Sequence, residues 1–283
     1  MRPLSYTSRR TLLNRFIWGR FIWGRFVWGV STAGLGLALP SRIAAADWSA
    51  PEPVQAATAL GGDTLKLTSG SEVRLIGIEA PNPALAPGDP VIASLAAGAT
   101  ASLQDLARQG VILRYDVLHQ DRYGRLLAQA FTPDGVWLQA AQVAAGQARV
   151  HGDGSNRTGL RDLIAQESAA RAAARGLWRH RAFAVRRAAD PALKRLAGTF
   201  QIVAGRVTAA AIVRDAGYVN FGDDRRTDFT LVIRKAVLAM LDPAVLDLTR
   251  LNTRSIRCRG WIDLHDGPSM DLSCPEQIEV LEA

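Results

Sequence analysis

Apolar and polar positions alternate in short runs along the first half of the chain, with turn-forming residues between them. Thr64 to Thr68 alternates and Gly70-Ser71 supplies a turn. Val73 to Ile78 predicts the next strand, and Pro81 ends it because proline has no amide hydrogen for a ladder. Asn82 to Pro90 is proline-rich and predicts a loop. Val91 to Gln109 then predicts a helix, with Leu95, Leu103 and Leu106 on a common face and Gly110 as its stop. Val111 to Val117 and Leu126 to Phe131 predict strands, and Asp134-Gly135 a turn. Val136 to Ala148 is alanine-rich and predicts a second helix. A third helical pattern opens with Leu160, Leu163, Ile164 and Glu167, runs to Arg175 and stops at Gly176.

That order predicts a mainly β fold with α-helices (α+β), built as a five-stranded OB-type barrel capped by three helices over 58–178. Asp47 to Ala57, with Pro51 and Pro53, reads as an exposed leader. Residues 179–198 are basic, carry Pro191, and read as a linker, either solvated or touching a nucleic-acid backbone. From Phe200 the pattern turns to short strands, with a turn at Ala216-Gly217 and a helix within Ala236 to Leu251 interrupted by Pro243. This predicts a second, smaller β-barrel-like domain over 199–283. Its Tyr218, Phe221, Phe229 and Trp261 are either core or base-stacking surfaces.

Composition changes this picture in two places. The formal net charge is +8, yet residues 1–46 hold seven arginines and no acid. Taking those seven from the 34 basic residues leaves 27 against 26 acids, so the rest of the chain offers no broad polyanion-binding surface. The same 46 residues run from basic, through apolar Phe26 to Leu39, to Ala44-Ala45-Ala46, the order of an export signal of the secretory or twin-arginine type. The expected location is the periplasm or outside the cell, with a membrane tether if the segment stays attached. The repeat FIWGR-FIWGR-FVWGV over 16–30 is either a duplicated piece of that signal or an interfacial anchor. Membrane contact is expected through this N-terminal segment alone. Cys258 and Cys274 are the only cysteines, and in an exported chain they are candidates for one intrachain disulfide. The four histidines are scattered and read as surface or loop residues.

The chemistry concentrates in three blocks: GGDT at 61–64, VRLIGIEAPN at 73–82 and DRYGR at 121–125. They set two carboxylates, Asp63 and Glu79, and two arginines, Arg74 and Arg125, in one ordered set. Hard cations take carboxylate oxygens, and guanidinium groups take phosphate oxygens in pairs. Taken singly each block has a plainer reading, since Gly-Gly-Asp is good turn chemistry and the arginines can pair with surface acids.

Together the blocks resemble the staphylococcal-nuclease-like (thermonuclease) family, over about Thr58 to Trp178. The resemblance implies that Asp63, Glu79 and the backbone carbonyl of Ala80 hold calcium, and that Arg74 and Arg125 bind the scissile phosphate. It puts Arg122 and Tyr123 at a second phosphate, and the family's general-base glutamate falls on Asn82. This chain departs from the family pattern at four positions. Gly61 and Glu79 stand where aspartates are usual, Ala80 matches a common alanine variant of a threonine, and Asn82 replaces the glutamate. The runs YVNFG, DFT, RGW, GP and PEQIEVL resemble a C-terminal OB-like module that follows some bacterial members.

Asparagine has no ionisable oxygen, so base assistance of about 100- to 10,000-fold is expected to be absent. Charge stabilisation by arginines and metal does not depend on that base. The expectation is an exported protein that binds phosphodiesters of DNA or RNA and cuts them weakly with calcium. The alternative is a catalytically inactive nuclease-fold binding module of the cell envelope, with nucleic acid or protein as partner.

Overall fold

Asp89 opens the longest helix by accepting hydrogen bonds from the amides of Val91 and Ile92, and Pro90 presets its first turn. This helix, α1 (Pro90–Leu106), buries Ile92, Ala96, Ala99 and Leu103 against a sheet. The structure is a computed structural model and describes residues 48–281 apart from 86, 225, 244 and 245, with the side chains of 56 and 57 also left out. The segment read as an export signal, with its repeat, lies outside these residues. Among the described residues no helix is long and apolar enough to cross a membrane.

The first half contains β1 (Glu52–Val54), β2 (Ala56–Gly61), β3 (Thr64–Leu67), β4 (Glu72–Leu75) and β5 (Ile78–Glu79), followed by α1. Next come β6 (Val111–Arg114), β7 (Leu126–Phe131), α2 (Leu138–Ala144), β8 (Arg149–Val150) and α3 (Leu160–Ala172). Six strands form one sheet in the order β1-β6-β7-β4-β3-β2, and β5 pairs separately with β8. Leu65, Val73, Leu75, Leu103, Leu113, Leu138 and Leu163 meet in a continuous buried core between strands and helices.

The second half contains β9 (Arg186–Arg187), β10 (Phe200–Arg206), β11 (Ala209–Val213), β12 (Ala216–Asn220) and β13 (Thr230–Arg234). A one-turn helix α4 (Lys235–Leu238) leads to β14 (Ser255–Trp261), β15 (Asp263–Leu264), β16 (Pro268–Leu272) and β17 (Ile278–Val280). Two sheets, β17-β14-β10-β9 and β11-β12-β13-β16-β15, enclose a second core that includes Phe229, Leu231, Ile256 and Met270. The fold is therefore mixed α+β, with many strands and several helices.

The described residues belong to one compact unit. Arg157 grips Glu276 through Nε and Nη2 at 2.9 and 2.6 Å, and Arg149 Nη1 donates to the Phe200 carbonyl at 2.9 Å.

Several expectations change. The stretch read as a leader is not exposed throughout, because Trp48 packs into the first core and β1 adds an edge strand beside β6. That strand makes six where five were expected. The basic stretch after 178 is no solvated linker, since Phe183 and Leu193 are buried and β9 pairs in parallel with β10. Ala216-Gly217 lies in β12, and the turn falls one step earlier at Arg214-Asp215, with Arg214 at φ +56°. The predicted 236–251 helix shrinks to α4 and a short 3-10 turn at Leu248–Arg250. Cys258 and Cys274 are both free. They are buried in different cores, Cys258 in the second and Cys274 in the first, so no disulfide joins them. Burial pushes the Cys274 thiol up to about 12.

Candidate functional site

Asp63 stands on the two-residue turn between β2 and β3. Its predecessor must be glycine, because a Cβ on Gly62 would lie 2.5 Å from the Cβ of Ala99 on α1. Gln142 of α2 fixes that turn from below by donating to the Gly62 carbonyl at 2.8 Å. The turn aims the Asp63 carboxylate at β5. The Ala80 amide donates to Asp63 Oδ2 at 2.8 Å, and the Thr64 hydroxyl donates to Oδ1 at 2.9 Å. Arg74, opposite Thr64 in the register of β3 and β4, brings Nη1 to 3.0 Å from Asp63 Oδ2. The same guanidinium nitrogen donates to the carbonyls of Asp63 and Leu75.

Glu79 lies one residue before the amide that holds Asp63, so the β5 backbone links the two carboxylates. Glu79 pairs in register with Arg149 of β8. Its Oε2 is 4.0 Å from Nδ1 of His151, the residue after β8. Burial holds the His151 imidazole below its ordinary 6.5, against the opposing pull of Glu79. His151 was not singled out in the sequence. Nothing in its neighbours signals the site, because only the β5–β8 pairing carries it there.

The second cluster is the DRYGR turn. Asp121 Oδ1 accepts the amides of Tyr123 and Arg125 at 2.9 and 3.0 Å, and its Oδ2 accepts Arg125 Nε at 2.8 Å. Burial opposes ionisation of Asp121, but these bonds outweigh it and hold the carboxyl below its ordinary range. Tyr123 is 71% exposed, with the Arg122 and Arg125 guanidinium groups 5.1 and 5.7 Å from its ring centroid. Arg125 precedes Leu126, the parallel partner of Val73, so Arg74 and Arg125 come from neighbouring strands. Among the described residues no hydrogen bond or ion pair joins Arg125 to Asp63, Arg74 or Glu79.

Asn82 has a local task. Its Oδ1 accepts the Ala84 amide at 2.9 Å and its carbonyl accepts the Leu85 amide at 3.1 Å, which caps the 3-10 turn Pro83–Leu85. The side chain is exposed. Gly61 leaves room, since a Cβ there would have Asp63 Oδ1 at 3.9 Å as its nearest neighbour.

Each arginine is thus already paired with an aspartate, Arg74 with Asp63 and Arg125 with Asp121. An incoming phosphate competes with these carboxylates unless a cation accompanies it. Among the described residues no three His, Cys, Asp or Glu side chains converge on one metal position. Asp63 Oδ2 accepts one hydrogen bond, from the Ala80 amide, and faces Arg74 Nη1 as an ion pair, while Oδ1 accepts one from the Thr64 hydroxyl, so each oxygen keeps acceptor capacity. Asp63 and Glu79 are the ligand type that hard cations take, and a cation held by them would need water and ligand oxygens to fill its shell.

A comparison with curated proteins found no match. A family model described as staphylococcal nuclease homologue matches residues 72–180. Arg74, Glu79, Ala80, Asn82, Arg122, Tyr123, Arg125 and His151 lie inside the matched stretch, and Asp63 lies outside it. Residues 72–180 are therefore similar to the staphylococcal nuclease homologues and form a nuclease-like segment of the chain.

Proposed function

We propose that this protein binds a phosphodiester of DNA or RNA at Arg74 and Arg125, and that it hydrolyses that bond weakly at most. The observation that carries the reading is Asn82. The position for the family's base holds an exposed amide whose oxygen is tied to the Ala84 amide, while Arg74 is ion-paired with Asp63, which accepts the amide of Ala80, the residue after Glu79. Calcium fits the reading through Asp63, Glu79 and the Ala80 carbonyl, and when bound it would neutralise phosphate charge. Arg122 and Tyr123 extend the site toward a second phosphate. The reading includes an OB-type barrel over 58–178, a second smaller barrel over 199–283, and export by the N-terminal 46 residues, which the basic, apolar and small-residue order supports.

The test uses the parent protein, Arg74→Ala and Asn82→Glu with single-stranded DNA and calcium. The parent should bind and cut at a trace rate, and Arg74→Ala should lose binding. Asn82→Glu should raise cleavage by about 100-fold or more, the usual scale of base assistance. A parent that neither binds DNA nor takes up calcium, together with an inert Asn82→Glu, defeats the reading.

A further inference from the structure

Trp261 ends β14 directly opposite Phe200 on β10. Antiparallel partners in that relation share one face of a sheet. The face leads back to the candidate site. The ring centroids of Phe200 and His151 are 5.0 Å apart, those of Phe200 and Trp261 6.1 Å, and those of His151 and Trp261 6.5 Å, each pair edge to face. His151 is in turn 4.0 Å from Glu79. Three rings therefore make a shelf running from the Glu79 carboxylate to the C-terminal half.

Burial changes along this shelf. Phe200 is buried, the His151 side chain is a quarter exposed, and Trp261 is 42% exposed. Trp48 and Trp137, by contrast, are enclosed in the first core. Arg149 supports the shelf, with its guanidinium 4.8 Å from the Phe200 centroid and 5.1 Å from that of Phe183. The other aromatic candidates of the second half do not compete. Phe221 and Phe229 are core residues, and Tyr218 makes no ring contact with the Glu79 cluster.

We infer that Trp261 is a stacking platform for a base of single-stranded nucleic acid whose phosphodiester lies at Arg74. The C-terminal half thereby completes the binding site of the nuclease-fold segment. This rests on the phosphodiester reading above. Every base presents a π face, so such a platform is tolerant of sequence, whereas a duplex keeps its bases stacked on one another. The site is thereby selective for single strands.

The experiment measures binding of one labelled oligonucleotide, as single strand and as duplex, to the full chain in calcium. Trp261→Ala should weaken single-strand binding by about 5- to 100-fold, the scale of one lost stacking contact, and leave duplex binding unchanged. Trp261→Phe should recover most of the affinity. Oligonucleotide should quench the parent's tryptophan emission and leave that of Trp261→Phe unquenched, which tests the contact even if the alanine variant fails to fold. Normal single-strand binding by Trp261→Ala, beside lost binding by Arg74→Ala, overturns the stacking role and leaves the phosphodiester reading standing. Equal loss on both substrates, no recovery with phenylalanine, or quenching that persists without Trp261 also overturns it. A parent that binds no single strand overturns both readings.

Discussion

Arg259 of β14 and Glu167 of α3 meet at 2.6 Å, with 1% and 0% of their side chains exposed. The carboxylate also accepts the Val150 amide at 2.8 Å and sits 3.3 Å from Arg171 Nη1. One buried glutamate therefore binds β8, α3 and β14 together, and β8 carries Arg149 and leads into His151.

Removing Arg259 takes the closest cation from the fully buried Glu167 and leaves it only the longer contact with Arg171, and it also takes a partner from Glu279. Arg259→Leu should cost about 3–5 kcal/mol of unfolding free energy, and combining it with Glu167→Leu should return part of that loss. Urea unfolding of the two variants checks both the size and the partial recovery.

Acid should loosen the junction through Glu276. Burial raises its carboxyl, but the two bonds from Arg157 outweigh burial and hold it below its ordinary 4.5. A depressed folded value means that the contribution is complete above 4.5 and is lost as pH falls below it through the folded value. Urea midpoints measured from about pH 3 to about pH 7 should show a decline in that window, shallower in Glu276→Gln.

Asp121→Asn separates charge from turn geometry. The asparagine oxygen still accepts the Tyr123 and Arg125 amides, but the guanidinium of Arg125 loses its ionic partner. Binding of single-stranded DNA should tighten, and the slope of log affinity against log salt should steepen by about 0.7, the share of one added phosphate contact. An unchanged slope would mean that Arg125 does not reach phosphate.

Gly61→Asp should strengthen calcium binding. The position has room, with Asp63 Oδ1 as its nearest neighbour, and a third carboxylate raises the charge of the ligand set. Calorimetric titration with calcium should show about a tenfold or greater gain, and none once Asp63→Asn is added.

Local pattern carried far into this structure where it concerned periodicity and turn chemistry. The helix read from Val91 onward is α1, displaced by one residue at its start because Pro90 occupies the first turn. The third helical pattern is α3, with Leu160, Leu163 and Glu167 buried and Ile164 partly buried, although the helix ends at Ala172 rather than Arg175. The chemistry of Glu167 on that face was not readable. Its partner Arg259 lies 92 residues away, and no local pattern links them. Short alanine-rich segments also misled, because α2 stops at Ala144 and hands over to the bend at Gly146, φ +70°.

The blocks VRLIGIEAPN and DRYGR, both inside residues 72–180, were enough to indicate the nuclease-like segment, since turn residues and charged groups at fixed spacing act locally and leave their mark on neighbouring residues. Which groups meet was decided by long-range pairing. The β3–β4 register joins Arg74 to Asp63, the β5–β8 ladder carries His151 to Glu79, and the β10–β14 pair delivers Trp261 to the same face. Such contacts form only when separate strands find one register, a choice set by the burial of both cores at once.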